Sequence, residues 1–179
     1  VNTRAWCLAA SVAACNAPTG PAHTAAWTLA GAVNGPHTAD DHAGGTATCS
    51  VAIDPDDVVT GTPFFTLVLV EPGGASVRLV VHGWSGPGTY RLGGATPGVA
   101  VASERAELGE CERGSSRCYV TTSGCAVAVA TWVTDEPATG AAGAGVASGQ
   151  LECSDVENSA GRVLTLSGTF KCRAWDFSR

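Results

Sequence analysis

Three stretches of this 179-residue chain carry side chains that do chemistry. His37-Thr38-Ala39-Asp40-Asp41-His42, with His23 upstream, sets imidazoles and carboxylates at close spacing. Imidazole nitrogen and carboxylate oxygen suit Zn, Cu or Ni, which makes His37, Asp40, Asp41 and His42 a candidate metal-binding loop. The plainer reading is a solvated hairpin tip, since Asp-Asp-His beside Gly44-Gly45 is ordinary turn material. His82-Gly83-Trp84-Ser85-Gly86-Pro87 follows a Val-rich run and invites comparison with the serine-nucleophile turn G-x-S-x-G. That turn needs a closing Gly and a helix after it. Here Pro87 stands in the closing place and Thr89-Tyr90-Arg91-Leu92 reads as strand, so a Gly/Pro β-turn is favoured. Asp54, Asp56 and Asp57 lack the Gly and distal Glu of a Ca²⁺ loop and read as turn caps.

Arg113 to Arg117, a polar tip between Cys111 and Cys118, presents two arginines on what a local disulfide would make a rigid loop. Rigidity lowers the entropy cost of docking, so Arg113 and Arg117 are candidate partner contacts, with a hairpin stapled only for stability as the plainer reading. Five tryptophans are present. Trp84, on the alternation of Arg78 and His82, is expected to be exposed as a candidate sugar or protein contact.

The elements that must position these groups read as strands almost throughout. Ala25, Trp27 and Leu29 alternate with small residues, as do Ala47, Cys49, Val51 and Ile53, and then Phe65, Leu67 and Leu69, whose opposite face (Phe64, Val68, Val70) is also apolar. Val77-Leu79-Val81, Val99-Val101, Val127-Val129-Val133 and Leu164-Leu166-Phe170-Cys172 continue the period of two. Such runs between Gly/Pro/Asp turns are the pattern of an all-β protein, here expected as a two-sheet antiparallel β-sandwich of about nine or ten strands. Ser103 to Glu112 is the one window with room for a turn or two of helix.

The cysteines constrain this sandwich. Of eight, Cys49, Cys125, Cys153 and Cys172 share phase with large apolar neighbours and are expected in the core. Folding 125–134 and 146–153 as a hairpin pairs Cys125 with Cys153, Cys111 with Cys118 staples the arginine tip, and Cys49 is left for Cys172. The alternative order joins Cys153 to Cys172 and Cys49 to Cys125. Register disfavours it, because a turn near Asn158 sets Cys153 against residues around Val163. No C-x2-C pair exists, so a zinc-thiolate cluster is disfavoured.

Composition sets the outer limits. The formal net charge is −6 and there is a single lysine, Lys171, which argues against nucleic acid and against electrostatic docking on anionic lipid. Ala5 to Ala14 is apolar, follows Arg4, and ends in small residues before Cys15, which reads as an export signal too short to span a bilayer.

Val12-Ala13-Ala14-Cys15 resembles a lipobox, the processing site of bacterial lipoproteins. The resemblance implies cleavage after residue 14, diacylation of the Cys15 sulfur and retention at the cell envelope, at the outer membrane if the host is diderm, since Asn16 is uncharged. Residues 1–14 are then a signal peptide, 15–22 the lipidated Cys and its tether, and 23–179 a single domain. Gly86-Pro87-Gly88-Thr89-Tyr90, Gly149 to Cys153, and Leu166-Ser167-Gly168-Thr169-Phe170-Lys171-Cys172 resemble motifs of uncharacterised secreted β-sandwich lipoproteins, and more distantly the mycobacterial 19 kDa lipoprotein antigens. The expected function is a lipid-anchored, non-catalytic envelope protein that binds a protein or glycan partner or is structural, without a cofactor. The alternative is a metal-binding or metal-dependent protein using the His37–His42 loop.

Overall fold

The computed structural model describes residues 23–53, 61–92, 99–102, 117–121, 124–133 and 145–177. The expected signal, Cys15 and tether, the Asp54–Asp57 run, Cys111 and Arg113 lie outside these residues.

The all-β class holds. Among the described residues eleven strands run in chain order: β1 Thr24–Gly31, β2 Gly35–Asp40, β3 Thr46–Ile53, β4 Pro63–Val70, β5 Ser76–His82, β6 Gly88–Arg91, β7 Val99–Ala102, β8 Cys118–Thr121, β9 Cys125–Val133, β10 Gly145–Asn158 and β11 Val163–Phe177. They are hydrogen-bonded as one curled sheet in the order β2-β1-β11-β3-β4-β5-β7-β8-β10-β9-β6, with β10 also paired to β11. That extra pairing closes a ring through β11, β3, β4, β5, β7, β8 and β10, while β1–β2 and β9–β6 extend from it as two wings. The expectation of two separate sheets thus becomes one continuous sheet folded over a single core.

Two long strands make this possible. The β11 edge pairs antiparallel with β1 over 164–171, then passes to β3 over 173–177, the one parallel pairing in the sheet. Strand β10 pairs with β9 over 146–153 and reaches β8 only at Glu157 and Asn158. Between these stretches its register shifts, and Asp155 takes the left-handed φ of 57°. A β-bulge bends a strand and strengthens its twist, which is how β10 turns the corner from one partner to the other.

Alternation decides what fills the interior. Trp27, Leu29, Phe65, Leu67, Leu69, Val77, Leu79, Val127, Leu164 and Leu166 are buried in one cluster. Cys49 is bonded to Cys172 and Cys125 to Cys153, all four at most 4% exposed. Chain-entropy arguments assign a loop as long as that between Cys49 and Cys172 about 4–5 kcal/mol, before native strain is deducted. Cys118 is also disulfide-bonded.

Gly168 lies opposite Trp27 in the β1–β11 pair. A Cβ there would meet the Ala26 carbonyl oxygen at 2.6 Å and Trp27 Cβ at 2.7 Å, so only hydrogen leaves room for the indole beneath it. Gly168→Ala should therefore lower stability by about 1–3 kcal/mol through overpacking, read as a reduced urea midpoint with an unchanged slope. A midpoint equal to wild type would show that β1 and β11 are not in this register.

Candidate functional site

Each of the four histidines has a definite neighbour. His23 immediately precedes β1 and is buried, with Nδ1 2.7 Å from Asp41 Oδ2. Its amide donates to Asp41 Oδ1 at 3.1 Å, and the Asp41 amide returns a bond to the His23 carbonyl at 3.2 Å. An ionised carboxylate only accepts, so the imidazole donates through Nδ1. His37, in β2, donates in the same way to Glu71 Oε2 at 3.0 Å, reaching from the wing to the β4–β5 turn. The His37 ring also stacks on Trp27, centroids 5.6 Å apart. His42 Nε2 is 3.6 Å from Asp41 Oδ1, and the His82 ring is 6.2 Å from Phe64.

These contacts divide the proposed metal loop. Asp40, Asp41 and His42 bring ligand atoms within 4.8 Å of one another, at a single 3₁₀ turn over Asp41–Ala43. His37 is not part of that group. Alternation along β2 turns its ring inward toward Trp27 and Glu71. Asp40 caps the 3₁₀ turn, its Oδ1 accepting from the His42 amide at 2.8 Å. Asp41 is committed to His23, with Arg173 Nη2 3.8 Å away. Partial burial opposes the charge of Asp41, but the hydrogen bonds from the His23 side chain and amide outweigh it, and its pKa falls below the usual 3.8. The hydrogen bond from His37 holds the Glu71 carboxyl below its usual 4.5, against the penalty of burial and with help from the Thr38 and Ala75 amides. The Thr38 bond also occupies a donor on edge strand β2, one means by which a sheet edge is blunted.

Trp84 is buried, 8% exposed, rather than available at the surface. Gly83 takes φ 73° after β5 ends, which breaks the alternation and folds the indole back over the core. There Trp84 stacks between Phe65 at 4.9 Å and Tyr90 at 5.2 Å, with Trp132 edge-on at 5.4 Å. Ser85 belongs to the turn that Tyr90 holds: its amide donates to the Tyr90 hydroxyl at 3.2 Å, and that hydroxyl donates to the Gly86 carbonyl. The hydroxyl of Ser85 faces a phenol, not a base, 3.3 Å away. Arg117 is exposed just before β8, and Arg113 lies outside the described residues.

The open surface with the shape of a site lies elsewhere, on the outer face of β2-β1-β11-β10-β9-β6. Register lines up Thr38, Ala26, Thr169, Gln150, Ala128 and Thr89 in one cross-strand row. The next row is Pro36, Thr28, Ser167, Glu152, Ala126 and Arg91. Small side chains on a twisted sheet leave a groove of about 640 Å³ over these rows. It shares Ala126, Glu152 and Ser167 with a second groove of about 700 Å³ running toward Arg91 and Thr165. Hydroxyls and an amide that both donate and accept, around one carboxylate, suit a ligand with many hydrogen-bonding groups. Neither this face nor Glu71 emerged from sequence reasoning. The polar half of each alternation was legible, but not that six such halves lie side by side.

No protein-family model, curated protein or solved structure matches this chain.

Both depressed carboxylates hold the β1–β2 wing, Glu71 by tying His37 to the β4–β5 turn and Asp41 by tying the end of β2 to His23 at the start of β1. A pKa lowered on folding contributes stability that is fully present above the unfolded-state value and is lost as pH falls through the folded value. Urea midpoints should thus be flat above about pH 5 and decline below about pH 4.5 as Glu71 and Asp41 protonate. In an Asp41→Asn/Glu71→Gln variant the midpoint should be lower near neutral pH and the acid decline shallower. An identical acid profile in that variant would remove these pairs as its cause.

Proposed function

We propose that this chain is an exported, lipid-anchored β-domain of the bacterial cell envelope that acts by binding rather than by catalysis. The observation that carries the reading is the pair of core disulfides, Cys49–Cys172 and Cys125–Cys153. Disulfides persist in oxidising compartments, and cysteines so deeply buried in the core are part of the architecture rather than of a reaction. Cys15 supplies the membrane attachment, and among the described residues no helix is long and apolar enough to cross a bilayer. Two of the histidines support binding over catalysis, because His23 and His37 spend a ring nitrogen on a carboxylate that joins two parts of the fold. The grooved outer face is the surface on which a protein or glycan partner is best accommodated, through hydroxyl, amide and carboxylate groups already set on rigid strands. Cys15→Ser should abolish palmitate labelling and release the chain from the detergent phase into the aqueous one. Labelling that survives in the variant would overturn the anchor.

A second reading, metal binding, is favoured by the convergence of Asp40, Asp41 and His42. In that reading the purified chain carries stoichiometric Zn, Cu or Ni, which is lost in Asp41→Asn/His42→Ala while Glu71→Gln retains it. Metal-free protein after equilibration with each ion removes this reading and leaves the cluster as a cap on the wing.

A further inference from the structure

Large apolar side chains are exposed in only a few places among the described residues, and two of them lie on one outward face. Val133 and Phe177 are each 59% exposed. Register relates them. Val133 pairs with Val146, and Val146 with Arg173 of β11. Two and four residues further on, the same side of β11 carries Trp175 and Phe177, and Phe177 pairs with Ala52. Phe64 continues the row from Ala52. The result is one apolar stripe around an end of the barrel, flanked on β3 by Thr48 and Ser50 and interrupted by Arg173, whose stem can lie along it while the guanidinium stays wet.

The place where the anchor joins the domain is the centre of this stripe. Arg173 Nη2 is 3.8 Å from Asp41, and Asp41 holds both the ring and the amide of His23. From Cys15 to His23 the chain spans at most roughly 28 Å fully extended, and Phe177 is about 13 Å along β11 from Arg173. We propose that this end of the domain rests on the lipid surface, with Trp175, Phe177 and Val133 in the interfacial layer, so that the anchor and the stripe hold the barrel in one orientation. The inference rests on the lipid-anchored reading of Cys15, which brings the bilayer within reach. Aromatic and aliphatic side chains at the headgroup level are the chemistry by which a peripheral domain keeps such contact.

The lipidated chain is bound to phosphatidylcholine vesicles containing a lipid brominated near the headgroup end of its acyl chains, and tryptophan fluorescence is recorded. Substantial quenching is expected, with the larger part lost in Trp175→Phe and little change in Trp84→Phe. Phe177→Ser/Val133→Ser should also reduce it while the chain still sediments with the vesicles. Quenching that is absent in vesicle-bound protein, or equal in the Trp175 and Trp84 variants, overturns the proposal and leaves the anchor untouched. Palmitate labelling decides the anchor separately. If it fails, the unlipidated Cys15→Ser chain at millimolar lipid reads the stripe alone: weak quenching that Trp175→Phe removes is expected, and none at all overturns the proposal.

Discussion

The transfer of β11 from one neighbour to another at Lys171–Arg173 is the constraint on which the remaining geometry depends. On one edge the strand is held by β10 along nearly its whole length, and on the other it leaves β1 and takes up β3. Both partners of that second edge could not be served by a flat ribbon, so β11 must coil as it crosses. The Cys49–Cys172 bond lies at this crossing and ties β3 to β11 where the pairing changes hands. A corresponding turn occurs in β10 at Ser154–Asp155, where the Ser154 amide bonds the Gly124 carbonyl at 2.9 Å and the next residue adopts a left-handed backbone. With both corners in place the sheet closes into a ring, leaving β2 and β6 as the open edges.

The closure separates two kinds of surface that the linear chain mixes residue by residue. On the β1, β11, β10 and β9 side the outward alternation holds threonine, serine, alanine, glutamine and glutamate, and the sheet there is polar and grooved. Beyond the β11 crossing the outward alternation becomes Trp175, Phe177, Ala52 and Phe64. One strand thus carries Thr165, Ser167 and Thr169 on its first half and aromatic residues on its second. A single amphipathic strand would normally be read as having one wet side and one dry side. Here the outward side itself changes character, at the residue where the partner changes.

What was legible in the sequence follows from this. Period two is a local property, and it located nearly every strand and the inward phase of Cys49, Cys125, Cys153 and Cys172, which is enough to favour the two core disulfides present. The same reasoning carried Trp84 to the wrong face, because alternation was extrapolated across Gly83, a residue free to take positive φ and reverse the phase. It treated His37 as one of a cluster of loop ligands because His37 is near Asp40 and His42 in number. In β2, however, three residues separate opposite faces, and the partner of His37 is Glu71, 34 positions away. Neighbours in a closed sheet are fixed by strand order, and strand order leaves little trace in a single sequence. The two-sheet detail was out of reach on the same ground, since nothing local distinguishes two stacked sheets from one that curls until two of its strands pair again.

The two histidine–carboxylate pairs show why residue type alone was a poor guide to what these side chains contact. Imidazole beside carboxylate is common in catalytic and metal sites, where a carboxylate orients the ring and leaves its other nitrogen free to act. In His37 that other nitrogen, Nε2, is buried and lacks a hydrogen-bond partner among the described residues, while the ring lies on Trp27. A base placed so cannot reach a substrate proton. The pair instead resolves a mechanical difficulty of the fold. The β1–β2 wing pairs with the rest of the sheet along one side only, through β1 and β11, and the free edge of β2 must be held down by something other than a strand. Glu71 does this with one carboxylate, accepting from the His37 ring and from the Thr38 amide. Asp41, just beyond β2, joins the end of that strand to His23, just before β1. The histidines that looked like a reactive centre thus keep β2, the outermost strand beside the groove, in place.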